Sequence, residues 1–315
     1  MMQAIVYNQN LQLVELPQPE LQDDQVLIRI RKAGVCNTDL EIAKGYMGFQ
    51  GVLGHEFVGE VIAGDPAWIG KRVVGEINVA DRTCDMCLRG VPSQCRNRTT
   101  VGIDRHPGAF AEYLALTKHN LYEVPDSVSD DAAVFVEPLA AALQILEAVQ
   151  ISPRDRIVVL GIGKLGILCA QVLRLTGAHV SAVVRREKQA ALMREWGIEP
   201  LRFDEVERKA VDIVVDCTGT SQGFADALEL VRPRGALVLK STYVGLPEAD
   251  LTRVVIDEIR VIGSRCGPFD AALRLLEKNL IDIEPLIEAR YPLPQGVEAM
   301  EHAQQPGMLK VLLEI

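Results

Sequence analysis

The sequence predicts an α/β chain in two parts: a β-rich domain built from both chain ends, and a doubly wound parallel sheet inserted between them. Three observations carry this. The opening segments alternate apolar and charged residues at strand period, the middle alternates short apolar runs with helical patterns, and the tail returns to short mixed elements ending in KVLLEI. The boundaries drawn are 1–149 with 283–315 for the first domain and 150–282 for the second. A chain of 315 residues that is 48% hydrophobic is long enough for two packed domains.

In chain order, AIVY and LQLVEL flank an NQN turn, and VLIRIR alternates before the segment AGVC, so the chain opens with strands. From about Asp131 the pattern changes. Pro138 suits a first helical turn, and Leu139, Ala142, Leu143, Leu146 and Val149 recur at helical spacing, which places Glu137 at the mouth of a helix. RIVVLGIGKLGILCAQVLRLTGAHVSAVV then reads as strand, glycine-rich turn, helix and strand. A helical ALMREWG, the apolar runs DIVVDCTG, ALVLK and IRVIGSR, and a helix near Ala271 to Lys278 complete the parallel-sheet pattern. No internal repeat or low-complexity linker interrupts it.

Charge and cysteine usage narrow the function classes. The 33 Lys plus Arg against 43 Asp plus Glu leave a net charge of −10, which disfavours a nucleic-acid footprint. MMQAIVYNQN lacks the features of a secretory signal and no apolar run approaches membrane-spanning length, so the expectation is a cytoplasmic protein without a membrane partner. Seven cysteines, three of them clustered, point to metal ligation and buried thiols rather than a disulfide framework.

The GIGKLG turn directly follows the apolar strand Ile157 to Leu160 and opens an apolar helix. Gly161 permits the tight turn, Gly163 lets the backbone approach a pyrophosphate, and Gly166 allows helix to pack on strand; Lys164 and Leu165 complete the candidate cofactor-binding turn. A site for NAD(H) should carry an acidic residue at the end of the next strand. HVSAVV instead runs into Arg185 and Arg186, two guanidinium groups suited to a 2'-phosphate, so NADP(H) is expected ahead of NAD(H). The competing reading is a pair of solvated surface arginines.

Cys36, the triplet Gly54-His55-Glu56 and Glu137 supply a soft thiolate, an imidazole and a carboxylate. Such a set suits a zinc ion held by three protein groups with one position open. Singly, a cysteine after a strand is usually a small buried hydrophobe, and a carboxylate at a helix start serves the helix dipole.

With AGVCNTDLE, GVLGHEFVGEV and VEPLAAAL in these positions, nearly the whole chain resembles the zinc-containing medium-chain dehydrogenase/reductase family, in its alcohol, polyol and threonine dehydrogenase branches. The resemblance implies a GroES-like β-barrel catalytic domain joined to a Rossmann coenzyme domain, with catalysis in the cleft between and subunits paired into a homodimer or homotetramer. It implies that Cys36, His55 and Glu137 bind a catalytic zinc and that Glu56 is a neighbouring or exchanging ligand. Thr38 would hydrogen-bond the substrate oxygen and begin proton relay, and Asp39 would orient His55. The implied activity is hydride transfer between NADP(H) and a small-molecule alcohol or polyol, or its carbonyl form. Position 41, often a histidine in such alcohol dehydrogenases, is Glu41.

The family's second zinc lobe spaces four cysteines as C-x2-C-x2-C-x7-C, and Asp81, Cys84, Cys87 and Cys95 fit with one ligand changed to a carboxylate, which zinc accepts. The alternative is three reduced thiols and no ion. VVGEINV and CRNRTTVGIDRHPGAFAEYL lie nearest the threonine enzymes, yet Asn78 stands where those tend to carry histidine. His106 lies near the cleft by analogy, and the Val61 to Arg72 loop is short for the family. Three other readings stay open: an NAD-dependent threonine- or sorbitol-type dehydrogenase, a zinc-independent enone or quinone reductase of the same fold, and a nucleotide-sensing protein without catalysis.

Overall fold

Ile28 and Ile30 are buried while Arg29 between them and Arg31 after them are exposed, the alternation that VLIRIR requires of a strand with one face on a core. In the computed structural model, which describes residues 1–242 and 248–315, this strand spans Gln25–Gly34. It is central to a sheet in which Leu121–Glu123, Arg72–Gly75, Glu56–Ala63, Gln25–Gly34, Lys310–Glu314 and Ile287–Pro292 lie side by side, with Tyr113–Thr117 also paired to Gln25–Gly34. The C-terminal strand is thus an internal strand of a sheet begun by the N-terminal segment.

The register of that sheet sets up the candidate site. Gly34 pairs with Glu56 on one side and with Leu312 on the other, and Val35 N–H donates to Val311 O at 2.9 Å. Residues more than 250 positions apart therefore meet where the strand ends and Cys36 begins. A Cβ on Gly34 would lie 2.6 Å from a Glu56 carboxylate oxygen and 2.7 Å from Val134, so only glycine leaves room there. Asp131, near the start of the helix Asp130–Val134, accepts from Lys32 at 2.6 Å and Arg290 at 2.7 Å and ties these strands together.

A second compact unit holds a six-stranded parallel sheet among the described residues. Within it we designate β1 Arg156–Leu160, β2 His179–Val183, β3 Glu199–Leu201, β4 Val211–Asp216, β5 Val231–Leu239 and β6 Arg260–Gly263. Their order is β3-β2-β1-β4-β5-β6, the doubly wound order with a switch point between β1 and β4. The central strands are continuous apolar runs, with Ile157 to Leu160 and Ile213 to Val215 all buried, as expected when helices cover both faces.

The compact units divide at Glu137/Pro138 and Pro268/Phe269, ahead of the sequence-drawn boundaries at 149/150 and 282/283. The reason is local packing. Beyond its first two residues the helix Val136–Ala148 goes with the parallel sheet, whereas the helix Phe269–Glu277 goes with the first unit, where Phe269 stacks on Tyr122 at 5.3 Å. Among the described residues no helix is long and apolar enough to cross a membrane.

Candidate active site

Cys36 follows the central strand directly and caps the short helix Asn37–Ile42 with extended backbone. Asp39, fully buried on that helix, organises what surrounds it. Its carboxylate accepts the Cys36 backbone N–H at 2.9 Å and the Gly54 N–H at 3.3 Å, and lies 3.2 Å from His55 Nδ1 without the alignment of a hydrogen bond. With Asp39 facing Nδ1, Nε2 is the ring nitrogen left to a metal.

The Leu53-Gly54-His55 segment is held by close backbone approach. Gly54 has a φ of +94°, and a Cβ there would lie 2.3 Å from the Phe110 ring. Ala109 and Phe110 donate to Gly54 O and Leu53 O at 2.9 and 2.8 Å. The glycine of the GHE triplet is therefore a steric requirement for presenting His55.

Among the described residues, Cys36, His55 and Glu56 offer ligand atoms within 4.8 Å of one another. Their chemistry fits a dication. Burial alone would lower the His55 pKa, but the Asp39 carboxylate and Cys36 raise it well above the ordinary histidine value; surroundings that hold a proton on a buried ring also favour a metal ion. Glu137, the expected third ligand, is outside this trio. Burial lifts its carboxyl to about 7 while His55 and Lys310 pull down and Glu56 and Glu76 push up, so it shares the trio's electrostatic environment. Thr38 Oγ1 lies 3.7 Å from Cys36 Sγ, and Glu41 is engaged by Lys44 at 2.9 Å.

Lys310 was not anticipated. It is 2% exposed, pairs with the Glu56 carboxylate, and lies 5.5 Å from the Phe135 ring centre. Burial lowers its pKa, but Glu56 and Cys36 outweigh that and raise it. The one sequence signal was a lysine opening a strand just ahead of the apolar run Val311 to Leu313.

The second candidate metal cluster has the edges of a zinc tetrahedron. Cys84 Sγ lies 3.6 Å from Cys87 Sγ and 3.8 Å from Cys95 Sγ, and Cys87 Sγ lies 3.5 Å from Asp81 Oδ1. Metal–sulfur bonds of about 2.3 Å give sulfur–sulfur edges of about 3.8 Å, and about 3.5 Å to a carboxylate oxygen. Asp81 is already oriented: Oδ1 accepts from Thr83 N and Cys84 N, Oδ2 from Asn97, and these bonds hold its carboxyl well below the usual range.

In the parallel sheet the glycines behave individually. Gly161 has a φ of +84°, a Cβ on Gly166 would lie 2.1 Å from Gly161 O, and a Cβ on Gly163 would meet nothing within 4 Å. Close packing below and open space above are what a dinucleotide turn needs at the start of the helix Gly166–Arg174. Lys164 and Leu165 are half-buried on this turn, and Arg185 and Arg186 are exposed just beyond β2.

Residues 22–126 match the alcohol dehydrogenase GroES-like domain family, and residues 165–278 match the zinc-binding dehydrogenase family. An L-threonine 3-dehydrogenase of Yersinia pestis (strain Pestoides F) is 30% identical, over 91% of this chain and 92% of its own length. The chain belongs to the zinc-containing medium-chain dehydrogenase family. Among solved structures, a Sinorhizobium meliloti protein described as a zinc-binding dehydrogenase, with NADP bound, superposes with a TM-score of 0.91 at 26% identity, covering 100% of this chain and 99% of its own. A cobalt- and zinc-bound thermostable alcohol dehydrogenase from Pyrobaculum aerophilum gives 0.88 at 27% identity, covering 100% and 99%. This dehydrogenase accordingly combines a GroES-like domain with a Rossmann-type domain, and is a zinc-dependent oxidoreductase of the alcohol dehydrogenase type.

Proposed function

We propose that this dehydrogenase interconverts a small alcohol or polyol and its aldehyde or ketone, using NADP(H) and a zinc held at Cys36, His55 and a carboxylate from Glu56 or Glu137. The convergence of Cys36, His55 and Glu56 around a buried Asp39 carries this reading. A zinc bound there supplies Lewis-acid polarisation of the substrate oxygen, and the nicotinamide supplies the hydride acceptor or donor. The chain's own residues do the remaining work. Asp39 keeps the thiolate-bearing backbone and the imidazole in register, Lys310 neutralises Glu56, and Thr38, whose Oγ1 lies 3.7 Å from Cys36 Sγ, would hydrogen-bond the substrate oxygen and begin the proton relay. The test is a turnover screen of alcohols, polyols, aldehydes and L-threonine with both nicotinamide cofactors, alongside metal analysis. Bound zinc and cofactor with no turnover of any substrate would favour a nucleotide sensor; turnover of enones without zinc would favour a metal-independent reductase. Threonine is the less favoured substrate, because Asn78 stands where the threonine enzymes tend to carry histidine; its amide nitrogen donates to Glu76.

The preference for NADP(H) is supported by Arg185 and Arg186 beyond β2, by the lack of a carboxylate at that strand end, and by the NADP bound in the Sinorhizobium relative. NADPH should bind about tenfold more tightly than NADH or better, and Arg185→Ala with Arg186→Ala should erase the difference, since charge-assisted contacts are each worth about 1.5–3 kcal/mol. Fluorescence titration of both cofactors decides it; tighter NADH binding removes the argument.

We also propose a structural zinc at Asp81, Cys84, Cys87 and Cys95, supported by the tetrahedral edges. Metal analysis should then find two zinc ions per chain, falling to one in Cys87→Ser. One ion in the parent, undiminished by that change, would rule the second site out. We further propose a cytoplasmic homodimer or homotetramer, a reading supported by the exposed apolar Leu251, Val255, Ile256 and Val261 at and near the outer strand β6.

A further inference from the structure

Cys169 lies one turn into the helix Gly166–Arg174 and is fully buried; Cys217 immediately follows β4 and is half-buried. Their sulfurs are 3.9 Å apart although the residues are 48 positions apart in the chain. Neither belongs to a metal cluster among the described residues. Cys217 also backs the glycine turn: its N–H donates to Leu160 O at 2.9 Å, its carbonyl carbon lies 2.9 Å from where a Cβ on Gly161 would stand, and its own Cβ lies 3.2 Å from where one on Gly166 would stand. The two thiols therefore join the helix and the loop that together frame the turn.

We propose that Cys169 and Cys217 form a redox-modification site, in which hydrogen peroxide converts the dithiol to a disulfide and thereby weakens dinucleotide binding. In the first step one sulfur attacks the peroxide oxygen, giving a sulfenic acid and one water; in the second the other thiol displaces a second water and the S–S bond forms. Two protons and two electrons leave the thiols, and one hydrogen peroxide is reduced to two waters. A disulfide needs its sulfurs about 2.05 Å apart, so the two sulfurs must close by about 1.9 Å, shifting Cys217 against the helix and disturbing the close packing behind Gly161 and Gly166. The electrostatics agree with this geometry. Burial pushes the Cys169 thiol up, but the hydrogen bond from Cys217 and the nearby charge of Lys240 bring it below the ordinary value. Lys240 is itself held by Ala141 O at 2.5 Å, Ser264 O at 3.0 Å, Ser264 Oγ at 3.1 Å and Arg265 O at 3.2 Å.

The consequence for binding rests on the reading of the Gly161 to Gly166 turn as the nucleotide site, and the test separates the two. The full-length protein is titrated with NADPH before and after treatment with hydrogen peroxide, and its disulfides are mapped by mass spectrometry. Expected are a peptide pair linked through Cys169 and Cys217, two hydrogens lighter than the thiols, and an NADPH dissociation constant raised about tenfold and restored by dithiothreitol. Cys169→Ala and Cys217→Ala should each show the same dissociation constant with and without peroxide, whatever its absolute value. No linked pair after peroxide, or a linked pair with unchanged affinity, overturns the proposal. Failure of the reduced parent to bind either dinucleotide would instead overturn the nucleotide-site reading, while the linked peptide would still report on the thiols.

Discussion

Cys36→Ser and His55→Ala are each expected to lower turnover on the order of 10³-fold or more while the NADPH dissociation constant changes little. Losing the Lewis acid removes several kcal/mol of transition-state stabilisation, and each 1.36 kcal/mol is a factor of ten in rate. The two side chains sit on separate segments, one after the strand Gln25–Gly34 and one after Gly54, and are joined through Asp39. Each change should also release one zinc per chain, leaving the ion at Asp81, Cys84, Cys87 and Cys95. Turnover at parental rates in both variants, with zinc counted by atomic emission, would refute the metal mechanism. Asp39→Ala should weaken metal retention, because it removes the group that faces His55 Nδ1 and receives the Cys36 N–H.

Gly166→Ala should damage the dinucleotide turn in a different way from Gly163→Ala. A methyl on Gly166 would stand 2.1 Å from Gly161 O, so the helix or the turn must move, at a cost of about 1–3 kcal/mol in stability. NADPH affinity should fall on the order of 100-fold with it. A methyl on Gly163 meets no protein atom within 4 Å. That variant should unfold at the parental temperature and still lose NADPH affinity, because the open space is what the pyrophosphate would occupy. Thermal unfolding with and without NADPH distinguishes the two; a destabilised Gly163→Ala, or either variant with parental affinity, contradicts the assignment.

Much of this was legible in the residues because the informative spacings are short. The GHE triplet, the Asp81 to Cys95 lobe and the GIGKLG turn each carry their signature within 15 residues or fewer, although the glycines of the first and last are also demanded by distant partners, Phe110 and Cys217. Alternation in VLIRIR and the apolar run of β1 reported burial correctly, since strand period directly follows pleat geometry. The sequence named both Glu56 and Glu137 as carboxylates for the site; what strand register adds is that the pairing of Gly34 with Glu56 brings Glu56 within 4.8 Å of Cys36 and His55.

Taken alone, the amino-acid sequence determined the order of strands and helices, the glycines that turns demand, and the donor types able to hold a metal and a dinucleotide. Long-range strand register lay beyond it. Lys310 meets Glu56 across 254 positions, and Cys169 meets Cys217 across 48. Those encounters depend on which strands become neighbours, a collective result of burying both sheets' apolar faces. Only the folded chain decides which charges and sulfurs share a low-dielectric interior, and that is where their chemistry is set.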